Sequence, residues 1–224
     1  MPEEPGEMPK AERKKPVGVR GTERILAFSD GVFAVVITLL VLEIKVPDIP
    51  ADQVAGELPR ALANLLPSVL SHIVSFALFG IYWVGHHTLF TFIKRYDRNL
   101  LWLNILFLLF MASMPFPTAL LIRYNDQWIS MVVYCSILIL TGLSAVAMWS
   151  YASRDHRLLD ENLKPDVIAL TYRRILVAPA IYLIALAVSV ASLTAAKLLL
   201  VVAVLLYIVP NPLIALHRQL GHSE

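Results

Sequence analysis

Six long apolar runs constrain this chain more than any other feature of its sequence. Each holds roughly the 20 mostly apolar residues that a helix needs to cross the hydrocarbon core of a bilayer. Hydrophobic residues make up 58% of the chain and charged residues 16%, whereas soluble domains average about 45–50% and about 25%. We therefore predict an all-α integral membrane protein with six transmembrane helices, over residues 25–46, 61–92, 99–122, 128–151, 175–193 and 195–216.

The composition also excludes several classes of protein. A single cysteine, Cys135, cannot form an intrachain disulfide or a cysteine-based zinc site. His86 and His87 are adjacent, so on a helix their side chains diverge by about 100° and cannot chelate one metal together. The net charge of +2 provides no clustered basic face for nucleic acid. We therefore expect no metal, no cofactor, no nucleic-acid partner and no enzyme activity.

Lysine and arginine are distributed unevenly between the predicted loops. With the N-terminus inside, 15 of the 19 basic residues lie on the inner side, as the positive-inside rule requires. We therefore predict that both termini are cytoplasmic. The proline-rich and charged segment 1–20 is predicted to be a disordered cytoplasmic tail, 21–217 the six-helix repeat and 218–224 a short cytoplasmic tail.

The first apolar run has two different faces when it is drawn as a helix with about 100° per residue. Phe28, Leu39 and Leu42 lie within about 40° of Val35 on this projection. Thr38 lies about 60° to one side of Val35 and gives this apolar stripe one hydroxyl. The run therefore combines a smooth apolar stripe with a polar cluster elsewhere on the helix.

Ser29 and Asp30 form that polar cluster, more than about 100° away from Val35. A carboxylate inside the membrane needs polar partners, because an isolated charge there is costly. Two interpretations remain open: a buried hydrogen-bond network that holds the first helix in place, and proton transfer by Asp30 or a histidine. The candidate partners in the next two spans are Ser71, His72, Ser75, His86, His87 and Asn104.

Four tryptophans lie near the predicted ends of the spans, where aromatic side chains commonly form a belt at the membrane interface. They are Trp83, Trp102, Trp128 and Trp149.

Three segments carry a resemblance to a known family. The first span opens with RILAFSD, from Arg24 to Asp30, which fits an R-x-x-x-F-S-D signature. The second span contains YWVGHH, from Tyr82 to His87. The third begins with NLLWLN at Asn99 and ends with PFPT at Pro115. In this order and at this spacing, the segments resemble the transmembrane protein 175 family of potassium channels.

The resemblance implies a fold and a set of pore residues. Single-repeat members of this family assemble as homotetramers, in which the first helix lines a central pore and bulky aliphatic side chains form its constriction. The family's pore positions fall on Val35, Leu39 and Leu42, and Thr38 matches a threonine that some prokaryotic members place near the filter. Val35 is smaller than the isoleucine or leucine that is usual there. The signature and its structural polar network are expected at Arg24, Phe28, Ser29, Asp30, His72, His86, His87 and Asn104.

We therefore predict a potassium-selective channel, a passive leak conductance in the plasma membrane whose hydrophobic ring gates by dewetting. Glu43 and Asp48, followed by Asp52 and Glu57, lie after the first span. They are expected to form an outer vestibule that attracts cations, or simply a solvated loop. One alternative is a secondary transporter, although such proteins usually show inverted repeats and this sequence has no matching halves. The other is a proton-conducting membrane protein that uses Asp30 and buried histidines.

Overall fold

The computed structural model describes residues 22–208. Within this range the chain forms eight α-helices. They are α1 (Thr22–Leu39), α2 (Val54–Asn64), α3 (Leu66–Phe92), α4 (Arg98–Ser113), α5 (Pro115–Arg123), α6 (Trp128–Ser153), α7 (Pro165–Ser189) and α8 (Leu193–Ile208). Short 3-10 turns extend α1 over Leu40–Glu43 and α6 over Arg154–His156. The predicted tails, 1–20 and 218–224, lie outside the described residues.

Five helical stretches are long and apolar enough to cross a membrane. They are Thr22–Glu43, Val54–Phe92, Arg98–Arg123, Trp128–His156 and Pro165–Ser189. These stretches coincide with the first five predicted runs and confirm an all-helical membrane protein. Helix α8 is also apolar but is shorter over its described part. The far end of the sixth predicted span lies beyond the residues that the structure describes, so a complete sixth span stays a prediction.

The structure corrects the sequence analysis between the first two spans. The segment that follows the first run is predicted to be a loop, but residues Val54–Asn64 form α2. Val54, Leu58 and Leu62 recur every four residues and therefore share one face of α2. No residue of α2 is buried, so its apolar face is not packed into the core of the single chain.

Two proline sites show how the long helices tolerate this residue. The junction of α4 and α5 lies at Met114, directly before Pro115, and Met114 keeps helical angles (φ −59°, ψ −33°). The prolines therefore interrupt the hydrogen-bond ladder without turning the chain away. Pro179 lies inside α7 and packs against Gly142 of α6. A Cβ on Gly142 would stand 2.9 Å from the Pro179 ring, so only glycine fits there.

Helix α6 lies at the centre of the bundle, where it packs against α4, α5 and α7. Its Trp149 is fully buried, and the indole nitrogen donates to the Ile168 carbonyl oxygen at 3.3 Å. The prediction that this tryptophan belongs to an interface belt is therefore wrong. Helix α1 lies at one side of the bundle, against α3 and α4. In this peripheral position, the other described helices leave much of the surface of α1 uncovered.

The loop between α3 and α4 is joined to the loop after α6 at one end of the bundle. An isolated antiparallel bridge pairs Ile93 with Leu159, and the Lys94 N–H donates to the Leu158 carbonyl at 2.9 Å. Asp155 and His156 adopt positive φ angles of 52° and 50° as the second loop turns back. The two loops therefore form one connected cap over this end.

Asp97 is the main polar link in this cap. Its Oδ1 accepts from the N–H of Leu100 at 2.9 Å and caps α4, while its Oδ2 accepts from the Tyr151 hydroxyl at 2.5 Å. The Arg157 guanidinium lies 3.7 Å from the same Oδ2. Burial alone raises the pKa of Asp97, but the hydrogen bonds and the Arg157 charge outweigh it. The net result is a pKa below the ordinary value.

Replacing Asp97 should destabilise the cap in a pH-dependent way. Asp97→Ala should lower the free energy of unfolding by about 1–2 kcal/mol near neutral pH, because α4 loses its N-cap and Tyr151 its acceptor. The stabilisation by a carboxylate of lowered pKa is complete above about pH 4 and is lost as the pH falls through the folded-state pKa. Thermal unfolding in detergent, followed by circular dichroism over this range, should show the two proteins converging in acid. Asp126→Ala, in the loop between α5 and α6, is the control and should change little; equal effects of the two substitutions would refute this role.

Candidate functional site

Helix α1 has one buried edge, which fixes its orientation against the bundle. Its buried residues are Ile25, Ser29, Phe33 and Val36, and Leu40 continues the series in the 3-10 turn. Spacings of three and four residues place these side chains on one face of the helix. That face packs against α3 and α4. The buried residues therefore fix the rotation of α1, and every other residue of the helix can be placed by its angle from them.

The predicted apolar stripe lies on an exposed face of α1. Val35 is 57% exposed, Leu39 42% and Leu42 59%. Phe28, on the same stripe about two turns before Val35, is 60% exposed. The described helices of the chain leave this apolar face uncovered, which is typical of a surface that contacts lipid, a second subunit or a pore.

The 3-10 turn at the end of α1 keeps the stripe in line. Residues i and i+3 eclipse each other in a 3-10 helix. Leu42 therefore lies directly above Leu39, whereas a continued α-helix would rotate it by about 60°. Val41 lies about 120° away from both and faces another direction. The change of helix type thus stacks the last two aliphatic side chains of the stripe.

Thr38 lies at the edge of the stripe and is exposed. Its hydroxyl donates to the Val35 carbonyl oxygen at 2.8 Å, which uses its only proton. A hydroxyl oxygen that has donated its proton still has lone pairs that can accept. The oxygen of Thr38 is therefore free to face a cation or a water beside the stripe.

The polar residues that do come together form a buried chain between three helices. Asn104 of α4 donates through Nδ2 to Ser29 Oγ at 3.0 Å, and Ser29 donates to the Ile25 carbonyl at 2.8 Å. The Oδ1 of Asn104 lies 2.8 Å from His86 Nε2 of α3. Ser29 is 0% exposed and both His86 and Asn104 are 2% exposed. This chain ties α1 to α3 and α4 through direct hydrogen bonds between side chains.

The His86 ring is held in place by aromatic side chains. It stacks on Phe107 with 5.4 Å between the ring centroids and an interplanar angle of 17°. Phe90 lies at 4.7 Å and Phe33 at 5.8 Å. Because Asn104 Oδ1 accepts from Nε2, that nitrogen carries the proton in this arrangement.

Asp30 takes a partner that the sequence analysis does not include among its candidates. The indole N–H of Trp83 on α3 donates to Asp30 Oδ1 at 2.8 Å. Asp30 is exposed in the single chain and lies outside the Ser29–Asn104–His86 chain. His87, also on α3, has its ring centroid 5.9 Å from that of Trp83. In the sequence, Trp83 lies three residues before the His86–His87 pair, and this spacing is the signal that could have indicated a polar partner for Asp30. The position of Trp83 near the end of a predicted span indicates a membrane-interface residue instead.

The remaining predicted residues lie apart from these contacts. Arg24 is exposed at the first turns of α1, and Phe28 belongs to the stripe and not to the polar network. His72 lies near the opposite end of α3 from His86 and contacts Phe76, with ring centroids 6.3 Å apart. Glu43 ends the 3-10 turn and Asp48 is exposed beyond it, while the Lys45 ammonium group donates to the Leu42 carbonyl at 3.0 Å.

Comparison with known proteins decides the family. Residues 24–115 match the family described as "Endosomal/lysosomal potassium channel TMEM175". A protein of Chamaesiphon minutus named "Potassium channel Cha6605_3372" is 39% identical over 174 residues, which cover 75% of this chain and 84% of the relative. "Potassium channel B446_29190" of Streptomyces collinus is 41% identical over 144 residues, covering 62% of this chain and 68% of the relative. The chain belongs to the TMEM175 family.

A solved structure extends the match beyond the first three spans. The crystal structure of a "lysosomal potassium-selective channel TMEM175 homolog" from Chamaesiphon minutus superposes with a TM-score of 0.73 at 34% identity. The superposition covers 83% of this chain and 95% of the other. The human relative, which is 36% identical over 155 residues covering 65% of this chain and 30% of its own length, is named "Endosomal/lysosomal proton channel TMEM175". The TMEM175 fold thus includes the helices that follow the match at residues 24–115.

Proposed function

We propose that this TMEM175 protein is a potassium-selective channel that conducts passively across the plasma membrane. The observation that carries this proposal is the exposed apolar face of α1, from which the buried Ser29 of the same helix is turned away. The bacterial relatives named potassium channels support the choice of ion. Because the family consists of ion channels, an enzyme activity is not proposed.

The pore is proposed to form between four copies of the chain. One α1 cannot enclose a channel, but four copies around an axis would place Val35, Leu39 and Leu42 in stacked rings. An exposed aliphatic stripe beside a buried anchoring edge suits this arrangement, because the anchoring edge stays with its own subunit. The same assembly would cover the apolar face, which a lone helix would leave open.

The stripe supports conduction through a hydrophobic constriction. A narrow aliphatic ring excludes water, so an ion crosses it only when the ring widens or the ion loses part of its hydration shell. Potassium loses hydration water more easily than sodium, which favours potassium at such a ring. The four Thr38 oxygens would replace part of the lost shell, since each has already donated its proton to Val35.

The acidic residues beyond the constriction are proposed to concentrate cations. Four copies of Glu43 and Asp48 would surround the outer mouth with negative charge. Lys45 lies at the same end and donates to the Leu42 carbonyl. Its positive charge offsets part of this field, so the vestibule attracts cations less strongly than the carboxylates alone would.

Proton conduction is the second candidate, because the human relative is named a proton channel. The buried Ser29–Asn104–His86 chain does not supply a continuous path for it, since Asn104 cannot both accept and pass on a proton through its amide. Asp30 is likewise engaged by Trp83 and lies off the exposed stripe. For proton conduction, the route that we propose is the water that enters the pore along the stripe when the aliphatic ring widens.

Thiol modification of the stripe tests the proposed conduction path. In Leu39→Cys, a bulky charged thiol reagent should block potassium flux, because four modified side chains would fill one ring. Val36→Cys, whose position on the buried edge is 2% exposed, is the matched control and should resist the reagent. Native Cys135 is also buried and should not react. Block through Val36→Cys with no effect at Leu39→Cys would contradict the assignment of the pore.

The orientation of the chain is proposed to place both termini in the cytoplasm. The basic residues predict it, and the cap that joins the loops after α3 and α6 would then face the cytoplasm. A reporter enzyme active only inside the cell, fused to the C-terminus, should be fully active. Activity of a reporter that functions only outside the cell would overturn the predicted topology.

Asp30 is proposed to support assembly rather than to contact the ion. Asp30→Ala removes the acceptor of the Trp83 indole, which is exposed in the single chain. In the proposed assembly, which would cover this pair, an unpaired donor costs about 1–3 kcal/mol. We expect a lower yield of intact oligomer in size-exclusion chromatography with light scattering. Asp30→Asn keeps an acceptor oxygen and should retain most of the yield. A fully assembled Asp30→Ala protein with altered ion preference alone would contradict this role.

A further inference from the structure

Helix α7 has an arginine at the centre of its exposed face. Arg173 is exposed, and three aliphatic side chains lie within about 60° of it at about 100° per residue. They are Leu176, Val177 and Ile184, which are 42%, 47% and 55% exposed. The buried residues of α7 all lie about 120° or more away from Arg173; they are Val167, Thr171, Pro179, Tyr182, Ala185 and Ser189. The described helices therefore pack on the opposite side of α7 and leave Arg173 uncovered.

The described residues supply no anion that pairs with Arg173. The residues three and four positions away on either side along α7 are all apolar, so the helix offers no i,i+4 ion pair. Asp166, the acidic residue of α7, lies seven residues earlier, about 10 Å away along the helix axis. The two ion pairs between described residues do not include Arg173. Because an unpaired charge on a membrane-facing surface is unfavourable, this guanidinium gains from an anion that comes from outside the chain.

The depth of Arg173 along α7 matches the boundary between headgroups and acyl chains. Helix α7 is long and apolar enough to cross a membrane, and it begins at the cap end of the bundle, since the loop before it contributes Leu158 and Leu159 to the cap. Arg173 lies eight residues, about 12 Å, from this start. Helical side chains lean towards the N-terminus, so the arginine extends towards the headgroups on the cap side.

Helix α7 lies on the side of the bundle that faces away from α1. It packs against α6 and α8, whereas α1 packs against α3 and α4, and α4 packs against α6. With α1 around the central axis, as proposed above, α7 lies at the outside of the assembly and its exposed face contacts lipid. The position of this axis is the one step that rests on the proposed function.

We propose that Arg173 binds the phosphate of an anionic phospholipid in the leaflet on the cap side. The planar guanidinium presents paired N–H donors that match phosphate oxygens. An acyl chain of the same lipid lies along Leu176, Ala180 and Ile184, which continue the face towards the middle of the membrane. Charge selects the lipid, because the choline of a zwitterionic headgroup would bring a second positive charge close to the arginine.

Short-range fluorescence quenching tests this site on the full-length protein. A bimane on Leu176→Cys reports the lipid beside Arg173, while native Cys135 is buried and should stay unlabelled. In phosphatidylcholine vesicles, spin-labelled phosphatidylglycerol should reach half-maximal quenching at about a fivefold lower mole fraction than spin-labelled phosphatidylcholine. Arg173→Gln should abolish this preference, and Arg173→Lys should keep most of it. Arg154→Gln removes an exposed arginine after α6 and should leave the preference unchanged.

Three outcomes would overturn the proposal. One is equal quenching by the two lipids in the protein with native Arg173, and another is a preference that survives Arg173→Gln. The third is a face covered by a second copy, in which case neither lipid quenches the bimane and Arg173→Gln lowers the yield of intact oligomer in size-exclusion chromatography. We expect that yield to be unchanged. Ion flux is not measured here, so a failure of the proposed conduction is distinguishable from a failure of this site.

Discussion

Replacing Leu39 or Leu42 by alanine should raise ion flux and weaken the preference for potassium over sodium. Both side chains lie on the exposed stripe of α1, and the 3-10 turn stacks one above the other. In a four-fold pore each substitution widens the ring at four points at once. Water would then enter a ring that leucine keeps dry, so the dewetting barrier falls. A tenfold rise in flux corresponds to a barrier lowered by about 1.4 kcal/mol. Potassium and sodium flux into liposomes measures both effects.

Two neighbours of these leucines provide the controls. Leu40 is 2% exposed and packs in the core, so Leu40→Ala should cost about 2–5 kcal/mol of stability and leave the ion preference of the folded protein unchanged. Val41 points about 120° away from Leu39, and Val41→Ala should change neither flux nor preference. If Leu39→Ala behaves like Leu40→Ala, the stripe is ordinary packing between subunits. If Val41→Ala behaves like Leu39→Ala, the pore face is assigned wrongly.

Replacing Asn104 by leucine should be the most destabilising single change in the polar network. The substitution keeps the approximate volume but removes the acceptor of His86 Nε2–H and the donor to Ser29. His86 is 2% exposed, so its unpaired N–H cannot turn to water, and we expect a loss of about 2–3 kcal/mol. Denaturant or thermal unfolding in detergent measures it.

Asn99 offers a matched control on the same helix. It is exposed, and its Nδ2 donates to the Tyr151 hydroxyl at 3.1 Å. Asn99→Leu makes the same chemical change where water can replace the lost bond, so its effect should stay below about 1 kcal/mol. Equal losses for Asn99→Leu and Asn104→Leu would show that the buried chain contributes nothing beyond an ordinary surface contact.

The sequence was sufficient for the features that depend on hydrophobicity along the chain. Runs of apolar residues predict the five membrane-spanning stretches, because a bilayer requires length and low polarity before any other property. The helical projection also predicts that Val35, Leu39 and Leu42 share a face, because their separation along α1 fixes their angles. Even the 3-10 turn preserves this result, since it moves Leu42 towards Leu39.

Features that depend on contacts between helices could not be predicted in this way. The partner of Asp30 is Trp83, 53 positions along the chain, and hydrophobicity alone assigns that tryptophan to the membrane interface. Trp149 likewise has the position of an interface residue but is enclosed in the core. Both cases depend on how neighbouring helices are rotated, which periodicity within one helix does not determine.

Helix α2 shows a different limit. Pro59 and the prolines before it indicate a loop, because proline lacks the N–H that a helix interior uses. The pattern of Val54, Leu58 and Leu62 indicates a helix over the same residues. The structure follows the second pattern. A short segment with both signals cannot be assigned by either one alone.

The most direct test of the proposed function is a pair of flux measurements on the purified protein in liposomes. One set of vesicles holds a potassium gradient and the other a sodium gradient of the same size, with protein-free vesicles as the background. We expect potassium to run down its gradient faster than sodium, without any opposite movement of protons being required. Equal or faster sodium flux, or potassium flux that stops when the proton gradient is clamped, would contradict a passive potassium channel.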